Sequence, residues 1–580
     1  MKKHFNRPIR TALCLLLAAS LCVSFSGCAS IFDFGNDTVP SRTPVEHIDH
    51  ITIGTTAVTD PENISDRAAY HGPFTYTGIV QAPLFVRGEF NRIRGYFILD
   101  YAVSEDGKEI RIAFPTTFKW HDGEPVTFED LVFTLEYRRD IAQDEMLANL
   151  KEIRKTADNQ AVLVFSEPDA YKFLHSESAL SPVMPKHIGD KISTDPFAGN
   201  DAGLYNVGCG PYKVVSAGDG VSELELFPGN DYLGEARIDK ITIKSYPDKE
   251  ALINALVAHE IDYIYAYDSP WDYTMTELFM DKEGIDPGRL YGADTDIAVF
   301  HEALAAVRTP EFRKAVLLSI DWNALKELFC GNTGRVASSG LLPPSAMGYD
   351  DSYETFKTDR EEAARQLEKA GFKDVNGDGT RELPDGRGFT FTIVSENLPE
   401  RQELYEKAAA IIIAGLKEVG MKAAFAGPVQ YSYIPAEMET QEPPAQTPEE
   451  PSEEEPEEPE EVDGYHYELL LTRSTGGKDI FRTAASAILE SWGEAIPEDA
   501  YYTDLASQIA ALGSSLSDDE YIQNARDLQK LISERLYGFA LCWEEYFFPY
   551  RTDEFEGQSF LPDTGEVNHM LFYRIRKKAL

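Results

Sequence analysis

From Ile51 onward the chain trades two spacings of apolar residues, one of two positions and one of three to four. The first is the period of a half-buried strand, the second that of an amphipathic helix. Ile110-Arg-Ile-Ala-Phe114 alternates and predicts a strand. Thr127-Phe-Glu-Asp130 has the form of a capping box, and Phe128, Leu131 and Leu135 then share one helical face. Asp248 opens a second helix with Ala251, Leu252, Ala255 and Leu256 inward. At Thr309-Pro310 a cap precedes a proline at the first helical position, where its missing N–H costs nothing; Phe312, Val316 and Ile320 follow. Helices over Asp359–Ala370 and Leu404–Val419 are closed by Gly371 and Gly420. Gly388-Phe-Thr-Phe-Thr-Ile393 reads as a strand. Strands and helices interleave throughout, which predicts an α/β class.

The N-terminus follows a different pattern. Lys2, Lys3, Arg7 and Arg10 precede an apolar run from Ala12 to Val23 broken only by Ser20. A helix of that length covers about 18 Å, short of the roughly 30 Å of a bilayer core. A basic start, a short apolar core and small residues at the cut predict a signal peptide over residues 1–27. Phe25-Ser-Gly-Cys28 resembles a bacterial lipobox, with Phe25 where leucine is usual. That resemblance implies a diacylglycerol on Cys28, with residues 28–50 as a polar tether holding the chain to the outer face of the cytoplasmic membrane, or in a periplasm. No later stretch reaches 18 consecutive apolar residues, so no other span is expected. A body of about 530 residues exceeds one core and should divide into two or three domains.

The formal net charge is −44, and residues 1–27 hold four cations and no anion, so a chain cut there has a charge of −48. Such a surface repels phosphate backbones and argues against nucleic acid as a partner. Residues 437–463 hold twelve glutamates, one aspartate and no cation, interspersed with prolines. Dense like charge with proline predicts a disordered, solvated insert. Cys14 and Cys22 fall within the signal segment, leaving Cys209, Cys330 and Cys542 beside the lipid-bearing Cys28. Three widely spaced cysteines predict buried thiols and no metal site.

The sequence lacks GxSxG, HExxH, GxGxxG and P-loop motifs, and its eleven histidines are never paired at metal-binding spacing. No catalytic residue and no cofactor is expected, and a surface hydrolase lacks its nucleophile and base. Asp374-Val-Asn376-Gly-Asp378-Gly379 resembles the first half of a calcium loop, with oxygens at positions 1, 3 and 5 and glycine at 6. Its twelfth residue is Asp385 instead of glutamate, and a strand follows where an exit helix belongs. The Asn-Gly and Asp-Gly pairs serve a hairpin equally well. His121 beside Asp122-Gly123 reads as structural.

Several segments, in order, resemble the extracellular solute-binding proteins of the oligopeptide and dipeptide type. Ser104 to Ile112, followed by Phe118-Lys-Trp-His-Asp-Gly-Glu-Pro-Val-Thr-Phe-Glu-Asp130, resembles the family's strand, its F-H-D-G-x-P-x-T-A-x-D-V turn and its helix. Pro185-Lys-His187, Val207-Gly-Cys-Gly-Pro-Tyr-Lys213, Asn230-Asp-Tyr232 with Ile238-Asp-Lys-Ile241, and Ala255 to Asp262 continue the likeness, then Phe312 to Ala315, Ile320-Asp321 and Ala370-Gly-Phe372. The acidic insert is not part of the family pattern.

The resemblance implies a two-lobed, periplasmic-binding-protein-like clamshell with a subdomain on the first lobe. Lobe one would comprise 51–70, 189–296 and 546–580, the subdomain 71–188, and lobe two 297–545. It implies a monomer that captures a peptide or other small solute between the lobes and delivers it to an ABC permease; a receptor that signals on the same fold is the alternative. In peptide-binding members an aspartate near a G-W-x-x-D-x-x-D-P stretch holds the ligand's amino group. The matching segment here, Leu470 to Asp479, lacks the tryptophan and first aspartate. Asp479 is the candidate substitute, while Arg473 favours a carboxylate. Phe300 and His301 are expected to meet the ligand where the chain crosses into lobe two.

Overall fold

The computed structural model describes residues 46–56, 78–88, 92–176, 178–190, 207–265, 271–292, 294–301, 308–429, 467–474, 500–557, 559–561, 565 and 567–578. Cys28, the acidic insert 437–463 and Asp479 lie outside the described residues. Strand β1 (Ile51–Thr55) is buried at every position, as a strand covered on both faces must be. An antiparallel sheet follows: β2 (Asp100–Val103), β3 (Glu109–Ala113), β4 (Leu150–Ala157) and β5 (Gln160–Phe165), in the order β2-β3-β5-β4. Helix α1 (Phe128–Asp140) lies between β3 and β4 in sequence. The buried Asp130 accepts from its own cap, Thr127 N–H, at 2.8 Å and from Lys186 N–H at 2.7 Å, so it fastens the helix start to a distant segment. His121 Nε2 bonds the Gly210 carbonyl at 3.0 Å, a structural contact.

Strands β6 (Tyr212–Gly218), β7 (Val221–Leu226), β8 (Lys240–Ser245) and β9 (Tyr263–Tyr265) join β1 in the order β9-β1-β8-β7-β6. Strand β1 runs parallel to β8 and β9. Between them, helix α2 (Lys249–Val257) is capped by Asp248, which accepts from Ala251 N–H at 2.7 Å. One apolar cluster runs from Ile51, Ile53 and Ile241 through Ile110, Ile112 and Leu163 to Leu571 and Phe572. The four-stranded sheet therefore shares its core with the first sheet, and the C-terminal segment returns to it.

After β10 (Arg289–Tyr291) the chain builds a second mixed sheet. Its elements are β11 (Thr295–Phe300), α3 (Pro310–Ser319), α4 (Trp322–Cys330), α5 (Arg360–Lys369), β12 (Phe391–Glu396), α6 (Gln402–Glu418), β13 (Ala423–Val429), β14 (Leu469–Ser474), α7 (Ala500–Gly513), α8 (Asp518–Arg535) and β15 (Gly538–Ala540). The strand order is β13-β12-β14-β11-β15, with β12 parallel to β13 and β14, and β11 antiparallel to β14 and β15. Alternate residues of β11 enter two cores: Ala298 and Phe300 pack with Phe312, Trp322 and Ile412, Ile297 and Val299 with Leu528 and Ile532. Helices thus cover both faces. Strand β16 (Glu545–Phe547) returns antiparallel to β10, so the chain passes between the sheets as a two-stranded ribbon.

The helices expected at Thr127, Asp248, Thr309 and Asp359 start there. Strand β12 begins three residues after the expected Gly388, because its parallel ladder starts at the Phe391–Ala423 pair. Strand β11 already belongs to the second sheet at Thr295, so the crossing comes just ahead of the expected division at 296/297.

Candidate functional site

In open α/β sheets ligands bind outside the carboxyl ends of the parallel strands. On the second sheet that edge is formed by Glu396 of β12, Arg473 and Ser474 of β14 and, because β11 runs the other way, its first residues Thr295 and Asp296. On the first sheet the corresponding ends are Thr55, Ser245 and Tyr265.

A buried ionic network fills the edge of the second sheet. Asp296 is opposite Arg473 in the ladder, on the face that α6 covers. Arg473 Nη1 donates to Asp296 Oδ2 at 2.8 Å, and Arg401, just before α6, approaches the same oxygen at 3.6 Å. The Tyr405 hydroxyl donates to Asp296 Oδ1 at 2.8 Å. From the return crossing, Tyr546 OH accepts from Arg473 Nη2 at 3.0 Å, and Glu544 lies 3.6 Å from Arg401 and 3.9 Å from Arg473. The Asp296 side chain is wholly shielded from water, and those of Glu544 and Arg473 are 10% and 11% exposed. Thr472 Oγ1 donates to Glu396 at the same edge.

Each charge shifts its neighbours. Burial pushes the Glu544 carboxyl up to about 7, and the anion of Asp296 adds to this, while Arg401 and Arg473 pull it down. Burial disfavours the Arg473 cation, but Asp296, Tyr546 and Glu544 outweigh it and raise its pKa. The Tyr405 and Tyr546 hydroxyls are pushed up by burial first and by the carboxylates beside them second. At the rim of the network Asp294 is 37% exposed and Arg401 18%.

The structure brings Arg473 to this edge and takes Phe300 and His301 away from it. Strand β11 is antiparallel to β14, so only one of its ends meets the crossing; that end holds Asp296, while Phe300 pairs with Leu469. Four residues at ~3.4 Å separate the two ends by about 14 Å. Phe300 is fully buried against Phe539, and His301 lies tilted against Tyr467, ring centroids 4.5 Å apart, with its backbone N–H on the Glu468 carbonyl. Neither residue joins the network at the Asp296–Arg473 edge. Asp296, Arg401, Tyr405, Glu544 and Tyr546 were missed. Only Asp296 had a signal: an acid at the head of the apolar run Asp296-Ile-Ala-Val-Phe300 must find a cation if that run is buried.

Asp374, Asn376 and Asp378 do converge, and Glu382 joins them: ligand oxygens of Asp374, Asp378 and Glu382 come within 4.8 Å of one another. Such an oxygen set can hold a hard divalent cation. The loop also satisfies itself, since Asp374 accepts from the N–H groups of Gly377 (2.6 Å) and Gly379 (2.9 Å), and Glu382 accepts from Val375 N–H and the Asn376 amide. Asp385 turns to Arg387 instead. A hairpin turn accounts for these residues without an ion.

Two helix-covered sheets, joined by a ribbon that meets the strand ends of one of them, define a two-lobed binding protein of the clamshell type. The chain belongs to the bacterial extracellular solute-binding proteins, family 5, whose middle region matches residues 95–448. It is 25% identical over 325 residues to the oligopeptide-binding protein AppA of Bacillus subtilis, a match covering 52% of this chain and 55% of that one. It thus spans about half the length of the curated relatives it matches. Among solved structures, an ABC transporter substrate-binding protein from Sinorhizobium meliloti superposes with a TM-score of 0.68 at 16% identity, covering 91% of this chain and all of that one. A nickel ABC transporter protein from Bacillus halodurans superposes at 0.66 and 15% identity, covering 90% and 98%. These likenesses show the fold.

Proposed function

We propose that this chain captures a peptide between its two lobes and hands it to the permease of an ABC importer. The observation that carries the reading is the meeting of the return crossing, through Glu544 and Tyr546, with the carboxyl end of β14 at Arg473. A ribbon anchored there lets the lobes close over a solute and desolvate it, and the closed form offers a permease a distinct shape. Charges of both signs at the rim, Arg401 and Asp294, suit the two termini of a peptide. The B. subtilis relative's name as an oligopeptide-binding protein supports the same class. Mass spectrometry of solutes released by denaturing the purified protein is expected to find about one peptide per chain. An empty protein that gives no binding heat with a peptide mixture, or one that releases only a metal chelate or a sugar, would refute the peptide assignment.

The anchor is part of the same proposal. No helix among the described residues is long and apolar enough to cross a membrane. Lipid on Cys28 would then hold the protein to the membrane, each buried CH₂ contributing about 0.8 kcal/mol. Cys28→Ser is expected to move the protein from the membrane fraction to the soluble fraction outside the cytoplasmic membrane. Retention at the unmodified level would rule out the lipid anchor.

A further inference from the structure

Cys330 and Cys542, 212 residues apart in sequence, meet inside the second lobe with their sulfurs 3.0 Å apart. Cys330 is the last residue of α4, and Cys542 lies between β15 and the crossing strand β16. Both are buried, at 1% and 2% exposure. We propose that these two residues form a disulfide in the exported protein, tying the return crossing to helix α4.

The framework around the sulfurs is already rigid. Arg335 and Trp543 exchange both backbone hydrogen bonds, at 3.1 and 2.8 Å, and Leu541 N–H bonds the Asp296 carbonyl at 2.9 Å. Gly334, with φ +60°, presses on the same point: a Cβ there would lie 2.9 Å from both Cβ and Sγ of Cys330 and 2.6 Å from the Trp543 carbonyl oxygen. The two thiols therefore face each other because the backbone sets them so. A disulfide needs ~2.05 Å, and each sulfur reaches it by moving about half an ångström. The third described cysteine, Cys209, is also buried but bonds the Tyr232 hydroxyl at 3.3 Å, well removed in the first core.

Bond formation removes two protons and two electrons from the pair. The oxidant is a disulfide, from an oxidoreductase or from oxidised glutathione. One cysteine thiolate attacks it, giving a mixed disulfide and releasing one thiolate; the second cysteine displaces the other, so one disulfide is consumed and two thiols leave. Burial, and then the neighbouring Cys330, push the Cys542 thiol far up, so the folded site supplies little of the nucleophilic thiolate. The bond therefore forms while this lobe is folding, before the sulfurs are enclosed.

The test is differential alkylation with peptide mapping of the whole chain, both exported and refolded in a glutathione buffer. Denatured in iodoacetamide without reductant, the protein should show Cys209 alkylated and the Cys330 and Cys542 peptides recovered as one linked pair, lighter by two hydrogens. Cys330→Ser should leave Cys542 alkylated. Reduction before heating should lower the melting midpoint by about 5–15 °C. Cys330 and Cys542 both alkylated after refolding, or an unchanged midpoint on reduction, overturns the proposal. The refolded arm holds whether or not the solute is a peptide.

Discussion

Asp296→Asn is expected to destabilise the second lobe by about 3–5 kcal/mol, the range for breaking a buried ion pair from one side. The substitution keeps shape and removes charge. Arg473 would keep Tyr546 at 3.0 Å but lose its 2.8 Å carboxylate partner, and Arg401 would lose the same oxygen. The size follows from desolvation: a cation held at 11% exposure cannot recover the missing interaction from water. Glu544 would take up part of the imbalance, which points to the lower end of the range. A molecule with several lobes does not unfold in two states, so the local measurement is amide hydrogen exchange. Amides of β11 and β14 should open more readily while β1 and β8 hold. A loss below ~1 kcal/mol would mean that water reaches the pair and that it behaves as a surface salt bridge. Arg473→Ala alone should also register as lost stability, and the double variant should cost less than the sum of the two. Any loss of ligand affinity in Arg473→Ala must be read against that change.

The second large effect is a pH dependence set by Glu544. Its carboxyl titrates near 7 in the folded protein, above the ~4.3 of an unfolded glutamate. Between those values the folded chain holds a proton that the unfolded chain has released, so this group's contribution to stability falls as pH rises. It is complete below about pH 4, is lost through the window up to about 7, and is level above that. At 1.36 kcal/mol per unit, the swing reaches at most about 4 kcal/mol. Other carboxylates move the opposite way: Asp518, held down by its hydrogen bond to His175, loses its contribution as pH falls. The informative quantity is therefore the difference between the native protein and Glu544→Gln. The stability of the glutamine variant relative to the native protein should rise steadily from pH 5 to pH 8. Hydrogen exchange of the β11 and β14 amides, compared between the two proteins at each pH across that range, decides it, and a difference that does not vary with pH would place the titration elsewhere. Asp296→Asn removes one cause of the shift, so in that variant the window should move to lower pH.

Much of the local structure was legible from the chain itself. Asp248, Thr309 and Asp359 each begin the helix expected of them, because a cap acts on amides two or three residues away and needs nothing else. The alternation of Ile110 and Ile112 likewise anticipated a strand with both residues buried. Motifs in order sufficed for the family, since each is a local segment. Phe300 shows where this stops. An aromatic at a strand end can equally meet a ligand or fill a core, and only the antiparallel register of β11 on β14 put Asp296 beside Arg473 and sent Phe300 into the apolar cluster.

The elements, their caps, the α/β class and the family were determined by sequence, because they depend on residues within a turn or two of each other. The tertiary structure alone decided that Asp296 would meet an arginine 177 residues on, that Glu544 would be buried beside both, and that two of three scattered cysteines would touch. Such pairings depend on strand order and register, which arise only when distant segments bury a common core. A buried charge or thiol takes its chemistry from whichever partner that burial delivers.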